Sequence, residues 1–428
     1  MKNVLLKSTR KASLVRNGVV TICWWIVFFP GFYSADSFAV LNMARNGNLS
    51  DDYSAPWAIF VNIFSVHGRF PGIVTLIFGA ILALSVTNFV FEMMSEQTSA
   101  IASFLICFTP LVGAMGITLW HDIPMTSGFF MITTFLIRSA KSLESPKRNT
   151  VLYIFPGALL ITFRLNGIPT LVVVGVLLSF VPFMKHVRKY LLLSVVVALV
   201  FSFTTSQFVK PSSITSLPVG WMAQDISCYA STPQGQGFVE RVIPGIGTTE
   251  TWQSASWCGW FSTAKLTYVE MLKSPAKLVV GWSKLAVEDP GFILRTHIKR
   301  HKYLVPIPIY GLPHPPFLQS NIESQNQGVE WTFPALASKA RNLVRIWNYA
   351  SSLFAYSGMW LLFLFIFWLK SQRRDVFLIA LFASVLTLSL FIVAEISDGR
   401  YALFTLISGQ VLAVGLIIDW LLKGTSRR

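Results

Sequence analysis

The sequence contains few acidic residues and little charge of either sign. Only 19 of its 428 residues are Asp or Glu, and all charged residues together make up 13% of the chain. Soluble domains carry about 25% charged residues. This shortage, with repeated apolar stretches of about 17 residues or more, excludes an ordinary soluble domain and predicts a helical protein that crosses a membrane several times.

The sequence also lacks the short motifs of several enzyme classes. It has no His-Glu-x-x-His zinc motif, no Gly-rich phosphate loop, no nucleophile elbow and no dinucleotide fingerprint. His297 and His301 lie four residues apart without a third ligand, among several Lys and Arg residues. That pattern favours a basic, membrane-facing surface over a metal site. We therefore expect neither a metal ion nor a cofactor.

Cysteine is scarce, with four residues in the chain. Cys23 and Cys107 fall within predicted membrane spans, where a small apolar residue packs well. Cys228 and Cys258 fall in a long polar region that is predicted to lie outside the cytoplasm, which makes them disulfide candidates. Two free thiols remain the alternative, because the sequence does not give the distance between them.

Positive charge is abundant, with a formal net charge of +16. The Lys and Arg residues form short clusters between apolar stretches rather than one patch. They are therefore interpreted as topology signals of the positive-inside rule, and no nucleic-acid partner is expected. The basic N-terminal segment precedes an apolar stretch without a small-residue cleavage pattern, which predicts an uncleaved anchor.

Apolar stretches and basic loops together predict an all-α membrane protein with about ten transmembrane helices and both termini in the cytoplasm. Every loop or tail predicted to be cytoplasmic is basic, except the short turn near Ser95. The predicted spans are approximately 17–33, 70–93, 98–119, 123–138, 150–163, 168–184, 190–206, 349–369, 376–394 and 402–421.

This topology divides the chain into three predicted parts. Residues 1–206 form an N-terminal transmembrane core, which includes a first outer loop, 34–57, of interfacial helices. Residues 207–345 form a large outer region between the seventh and eighth spans, and residues 346–428 hold the last three spans. The apolar stretch 54–68 is too short to cross ~30 Å of hydrocarbon, so we expect it to lie in the interface.

Four helix junctions on the predicted outer side carry polar residues. They are Asp36 with Asp51 and Asp52, His121 with Asp122, Arg164 with Asn166, and Asp398 with Arg400 and Tyr401. A carboxylate can accept a proton from a hydroxyl nucleophile, and an arginine can hold a phosphate. The set predicts an outer site for a hydroxylic and phosphorylated substrate. Structural alternatives remain: Asp36 and Asp122 as helix N-caps, and Arg164 and Arg400 as side chains that reach toward lipid headgroups.

Five short segments occur along the chain at these junctions. They are 30–37 (PGFYSADS), 52–56 (DYSAP), 120–124 (WHDIP), 164–167 (RLNG) and 399–401 (GRY). In their order and common side they resemble motifs of the GT-C superfamily of membrane glycosyltransferases. The resemblance covers roughly 17–206 and 346–421 and leaves the long outer region unmatched.

The resemblance implies transfer of a sugar from a polyprenyl-phosphate donor to a hydroxyl of a glycan, lipid or protein acceptor. The reaction would take place at the outer face of the bilayer, without a metal and with inversion. A bacterial inner membrane is favoured over the endoplasmic reticulum, because only the Asn48-Leu49-Ser50 sequon hints at a secretory pathway and such a sequon is a common chance match. Asp36 would be the general base, Arg400 and Arg164 would neutralise the leaving phosphate, and Asp122 and Asp52 would hold hydroxyl groups. The implied substrate-binding residues are Asp52, His121, Asp122, Arg164, Asn166, Arg400 and Tyr401.

Two other classes of function remain open. A lipid or lipid-linked-glycan flippase or transporter predicts ionisable residues deep within the spans and inverted repeats, and the sequence shows few of the former and none of the latter. A membrane scaffold would leave the outer carboxylates without a role. A polymerase or ligase of lipid-linked glycans is not separated from a monoglycosyltransferase by the sequence.

Overall fold

The fold is described from a computed structural model of the chain. The structure describes residues 9–142, 148–211, 217–230, 232–235, 237–238, 241, 275–301, 304, 331–350, 352–393 and 402–425. Within these ranges the regular structure is helical, and extended backbone pairs only at two isolated bridges, Phe32 with Thr118 and Ser50 with Lys210. The predicted all-α fold class is confirmed.

Every predicted span overlaps a helix. Up to residue 206 the helices are α1 (Arg10–Val27), α2 (Ala35–Asn46), α3 (Ala55–Phe64), α4 (Pro71–Met93), α5 (Glu96–Phe108), α6 (Gly113–Gly116), α7 (Asp122–Ser142), α8 (Arg148–Ile161), α9 (Gly167–Ser179) and α10 (Arg188–Ser206). Beyond it they are α11 (Leu217–Ala230), α12 (Pro275–Glu288), α13 (Pro290–Arg300), α14 (Pro334–Ala350), α15 (Ser357–Ser371), α16 (Arg374–Val393) and α17 (Leu403–Thr425).

Four helical segments of the described chain are long and apolar enough to cross a membrane. They are Pro71–Met93, Pro182–Ser206, Arg374–Ile392 and Leu403–Lys423. Shorter apolar helices accompany them, α3 included, whose 10 residues agree with the predicted interfacial segment. The chain is an all-α membrane protein, and the count of about ten spans stays a prediction.

The predicted span 98–119 is broken, which the sequence analysis missed. Helix α5 ends at Phe108, and Thr109 has an extended backbone with φ −68° and ψ 151°. Thr109 precedes Pro110, whose ring disfavours the helical conformation of the residue before it. The chain then makes the short helix α6 before it reaches α7.

The helices of the core pack closely in antiparallel neighbours. A methyl group placed on Gly128 of α7 would lie 2.5 Å from the carbonyl oxygen of Gly157 in α8. Only a residue without a side chain permits this approach. In a membrane, where lipid is as apolar as leucine, such close packing is a main source of helix association.

One end of the bundle is held by a basic cluster, which we call the basic end. Glu92, at the end of α4, accepts hydrogen bonds from Arg10 of α1 at 2.6 Å and from Arg138 of α7 at 2.7 Å. Arg373 donates to the carbonyl oxygen of Met93 at 3.0 Å. The starts of α1 and α16 thus meet the ends of α4 and α7. Which side of the membrane the basic end faces stays a prediction.

A second, smaller apolar core lies in the predicted outer region. Tyr229 of α11 packs edge-on against Phe238 and Phe292, with ring centroids 5.2 and 5.0 Å away. Leu278 and Leu285 of α12 are buried in the same cluster. The helices α11, α12 and α13 therefore share a core of their own, while the division of the chain at residues 206 and 345 stays a prediction.

Candidate active site at one end of the helix bundle

Asp36 lies in the first turn of α2, on a helix whose start is held by serines. The Ser34 hydroxyl caps the helix by accepting from the Ser37 amide, and the Ser37 hydroxyl accepts from the Ser34 amide at 2.9 Å. Ser34 is therefore the N-cap, and the capping alternative for Asp36 is wrong. The Asp36 side chain remains partly exposed in the first turn of the helix, close to the positive end of the helix dipole.

The start of α2 is bonded to the segment that leads into α7. The Ser37 hydroxyl donates to the Leu119 carbonyl at 2.8 Å, and the indole of Trp120 donates to the Ser34 hydroxyl at 2.7 Å. Leu119 also donates its amide to the Phe32 carbonyl at 3.0 Å. Asp36 thus sits between two serines whose bonds fix it against the residues just before His121 and Asp122.

Asp122 and Arg164 form a buried ion pair between two of the predicted junctions. Asp122 is the first residue of α7 and is fully buried, and its Oδ1 is paired with Nη1 of Arg164 in the turn after α8. Nε2 of His121 lies 4.0 Å from the other carboxylate oxygen. Arg164 therefore points toward the protein, and its predicted alternative as a lipid-facing side chain is wrong. A buried charge of this kind is tolerated only when it is paired.

Asp52 lies in a one-turn 3-10 helix, Asp51–Tyr53, that joins the first loop to α3. Its carboxylate accepts from the Ser50 hydroxyl at 2.7 Å. The next residue, Tyr53, has its ring 5.9 Å from the His121 ring, centroid to centroid. The hydroxyl of Ser54 donates to the Phe163 carbonyl at 2.7 Å, one residue before Arg164. The end of the loop is therefore attached to both of the other junctions.

Asn166 is buried in part beside the ion pair. Its Oδ1 is shielded from solvent and has no hydrogen-bond partner among the described residues. The Thr170 hydroxyl donates to the Asn166 carbonyl at 3.0 Å. It also lies within hydrogen-bond distance, 3.2 Å, of the Ser389 hydroxyl in α16. A buried amide oxygen without a donor suits a hydroxyl group of a ligand, because leaving it unpaired is costly.

Three of the four predicted junctions thus meet at one end of the bundle, opposite the basic end. The Ser34, Ser37, Trp120 and Tyr53 contacts that join them were not predicted. The pattern Ser-x-x-Ser before an apolar stretch could have indicated the capped start of α2. The hydrogen bonds between distant segments leave no pattern in the sequence. The fourth junction, with Arg400 and Tyr401, lies outside the described residues.

Two further predictions meet different outcomes. Cys228 is disulfide-bonded and Cys23 and Cys107 are free; Cys258 lies outside the described residues, so the predicted pairing stays a prediction. The prediction that His297 and His301 belong to a basic surface is wrong, because both side chains are buried. No group of three potential ligands that could hold a metal ion occurs in the described part of the chain.

The fold and this end of the bundle define an all-α membrane protein with a polar site that its first loop contacts. No protein-family profile and no curated protein matches the chain. Two solved structures from the archaeon Archaeoglobus fulgidus are similar to it. One is the oligosaccharyltransferase AglB in complex with an inhibitory peptide and a dolichol-phosphate, at 13% identity and a TM-score of 0.43, over 98% of this chain and 51% of that one. The other is the oligosaccharyltransferase in the apo form, at 12% identity and a TM-score of 0.43, over 97% and 51%. The chain spans about half the length of these proteins.

Proposed function

We propose that the protein is a membrane glycosyltransferase that moves a sugar from a polyprenyl-phosphate donor to an acceptor hydroxyl on the extracytoplasmic face. The observation that carries the proposal is the convergence of the Asp36 helix, His121 with Asp122, and Arg164 with Asn166 at one end of the bundle. The motif resemblance to the GT-C superfamily supports the same class. The site contains a partly exposed carboxylate beside buried polar groups, which is what transfer to a hydroxyl requires.

In the proposed reaction Asp36 is the general base. The acceptor oxygen forms a bond to the anomeric carbon while the bond from that carbon to the phosphate oxygen breaks. The phosphate leaves with the electron pair, the acceptor proton passes to the Asp36 carboxylate, and the anomeric configuration inverts. Arg400 is proposed to neutralise the leaving phosphate together with Arg164.

The remaining residues are proposed to position the substrates. Asp122 holds the Arg164 guanidinium in place through their ion pair. Substrate hydroxyl groups are proposed to bind at Asp52, His121 and Asn166, which lie at the same end of the bundle as the ion pair. Tyr401, at the fourth junction, is proposed to bind a hydroxyl as well. The Tyr53 ring beside His121 offers an apolar face for a sugar ring.

The test compares sugar transfer by the wild type and Asp36→Asn in lipid nanodiscs, with radiolabelled polyprenyl-phosphate sugars and glycan, lipid and peptide acceptors. We expect the variant to lose at least ~10²-fold in rate, the scale of a general base. The matched control is Glu96→Gln, an exposed carboxylate in the first turn of α5, which should retain the rate. Equal rates in wild type and Asp36→Asn would reject Asp36 as the base. Lipid binding without transfer from any donor would favour a flippase instead.

A further inference from the structure

A buried ionic cluster lies outside the candidate active site, between α11, α12 and α13. Asp225 of α11 is fully buried and accepts from three side chains. Arg300 donates from Nη2 to its Oδ1 at 2.7 Å. His297 Nε2 lies 2.8 Å from its Oδ2, and the indole of Trp282 donates to the same oxygen at 2.8 Å. We call these four residues the Asp225 cluster.

Both ring nitrogens of His297 face hydrogen-bond acceptors, and both contacts are satisfied only if each nitrogen carries a hydrogen. Its Nδ1 lies 2.7 Å from the carbonyl oxygen of Phe391 in α16, and its Nε2 faces the Asp225 carboxylate. Both neighbours only accept hydrogen bonds, whereas a neutral imidazole has one N–H group. With Arg300 always charged, the cluster holds two cations and one carboxylate, and therefore an excess positive charge in a dry environment.

Arg300 also has unused hydrogen-bond donors. Its side chain is only 4% exposed. Nη2 bonds to Asp225, but Nε and Nη1 are shielded from solvent and have no hydrogen-bond partner among the described residues. Buried N–H groups of a charged side chain are costly to leave unpaired. An anion is the one kind of partner that would both balance the surplus charge and accept from the open donors.

The Asp225 cluster lies at the same end of the bundle as the candidate active site. His297 is bonded to Phe391 of α16, and Ser389, one half-turn earlier, contacts Thr170 at 3.2 Å. Thr170 in turn bonds to the Asn166 carbonyl. If the helices span the bilayer, the headgroup phosphates of one leaflet lie at this end of the bundle.

We propose that Arg300, supported by His297, binds a phosphate group at a site separate from the Asp122–Arg164 pair. A phosphate monoanion balances the surplus charge, and its oxygens accept from Nε and Nη1. The source is either the head of a phospholipid or polyprenyl phosphate, or free phosphate. The inference concerns binding alone and does not rest on the proposed sugar transfer.

The test measures binding by the full chain purified in a maltoside detergent, which contributes no phosphate. One arm uses equilibrium dialysis with radiolabelled inorganic phosphate at fixed ionic strength. The other uses native mass spectrometry with added polyprenyl phosphate or phosphatidylglycerol. The wild type is expected to bind inorganic phosphate or phosphatidylglycerol with one site per chain, and to bind polyprenyl phosphate at this site in addition to the proposed donor site at Arg164 and Arg400. Saturation by inorganic phosphate indicates a free ion, whereas saturation by a lipid alone indicates a headgroup.

Arg300→Gln is expected to weaken binding of the same probe at least about tenfold, as loss of a charge-assisted hydrogen bond does. The matched control is Arg295→Gln on the same helix, whose side chain is 72% exposed and which should bind within about twofold of the wild type. Arg300→Lys keeps the charge beside Asp225 and so preserves folding, but it loses the planar donors and should also bind more weakly. Failure of the wild type to bind any probe, equal loss in Arg295→Gln, or wild-type binding by folded Arg300→Lys would overturn the proposal.

Discussion

At the scale of single residues, the Asp122–Arg164 pair shows why a charge in the bundle needs a specific partner. Each of the two residues lies at a helix junction, and both are shielded from solvent. Taking one charge away leaves the other buried and uncompensated, which costs more than the pair itself contributes. The pair therefore links stability and site geometry in one contact.

Arg164→Gln is expected to lower the free energy of unfolding by about 3–5 kcal/mol, because it leaves the Asp122 carboxylate buried without its cation. Urea unfolding of the detergent-solubilised protein measures the loss. Arg69→Gln, an exposed arginine at the same end of the bundle, should change it by less than about 0.5 kcal/mol.

The double variant Asp122→Asn with Arg164→Gln distinguishes a coupled pair from two independent residues. Its loss should be smaller than the sum of the two single losses, by about 0.5–3 kcal/mol, because residues in contact are not additive. Strictly additive losses would show that the two charges do not stabilise each other.

At the scale of elements, the conformation of the first loop depends on the close backbone packing at Gly31. Its φ of +123° suits a residue without a Cβ, and a methyl group there would lie 2.6 Å from the Ile117 carbonyl oxygen and 2.8 Å from the Thr75 side chain. The backbone conformation at Gly31 places Phe32 beside the segment before α7, and Ser34 beside Trp120. The position of Asp36 follows from it.

Gly31→Ala is expected to destabilise the protein by about 1–3 kcal/mol through backbone strain and overpacking. The displaced start of α2 should also lower the rate of sugar transfer in the protein that remains folded. Thermal unfolding and the transfer assay measure the two effects. Gly18→Ala, where nothing lies within 4 Å of the added methyl, is the matched control, and an equal loss there would contradict the argument.

The contact of α11 with α13 is expected to depend on pH through Asp225. Burial raises the pKa of this carboxyl group, but the hydrogen bond from His297 and the charge of Arg300 outweigh it and hold the pKa below its ordinary value. A depressed pKa contributes stability above the unfolded-state pKa of about 3.9 and loses it as the pH falls further. Among the described residues, the indole of Trp282 in α12 is the third side-chain group that donates to Asp225.

Asp225→Asn should therefore melt at a lower temperature than the wild type at pH 7. The difference between the two should narrow as the pH falls below about 4, because the unfolded chain takes up the proton near its ordinary pKa of about 3.9 whereas the folded protein takes it up only at lower pH. Differential scanning fluorimetry over this range measures it. A melting difference that stays constant down to pH 3 would mean that the Asp225 charge does not stabilise the fold.

At the scale of the whole molecule, the two ends of the bundle differ in character. The basic end gathers Arg10, Arg138 and Arg373 around Glu92 and Met93. The other end holds the capped start of α2 and the Asp122–Arg164 pair. The positive-inside rule predicts that the basic end faces the cytoplasm.

Cysteine labelling tests this orientation in a background without Cys23 and Cys107. Asn46→Cys, exposed at the end of α2, should react with a membrane-impermeant maleimide in right-side-out vesicles. Gln97→Cys, exposed in the first turn of α5, should react only after permeabilisation. The reverse pattern would place the candidate active site in the cytoplasm.

The sequence by itself determined the fold class and the approximate positions of the apolar helices outside residues 207–345. Long apolar stretches must satisfy their backbone hydrogen bonds internally, so they become helices whatever their neighbours are. Local chemistry also indicated the short helix after Tyr33 and its end at Asn46, where Gly47 adopts φ +65°. The break at Thr109 was within reach of the same local rules, because Pro110 is visible in the sequence.

Only the tertiary structure decided which polar residues meet. Asp122 and Arg164 are 42 positions apart in the chain, and neither composition nor periodicity assigns one as the partner of the other. The Asp225 cluster was missed for the same reason: the local pattern predicted a basic surface around His297, whereas in the fold α11 supplies the carboxylate that His297 and Arg300 contact. Hydrophobic burial is non-directional, so the local sequence pattern is enough to predict which stretches are buried. A buried ion pair instead depends on the distance between two chain segments, which only the folded structure determines.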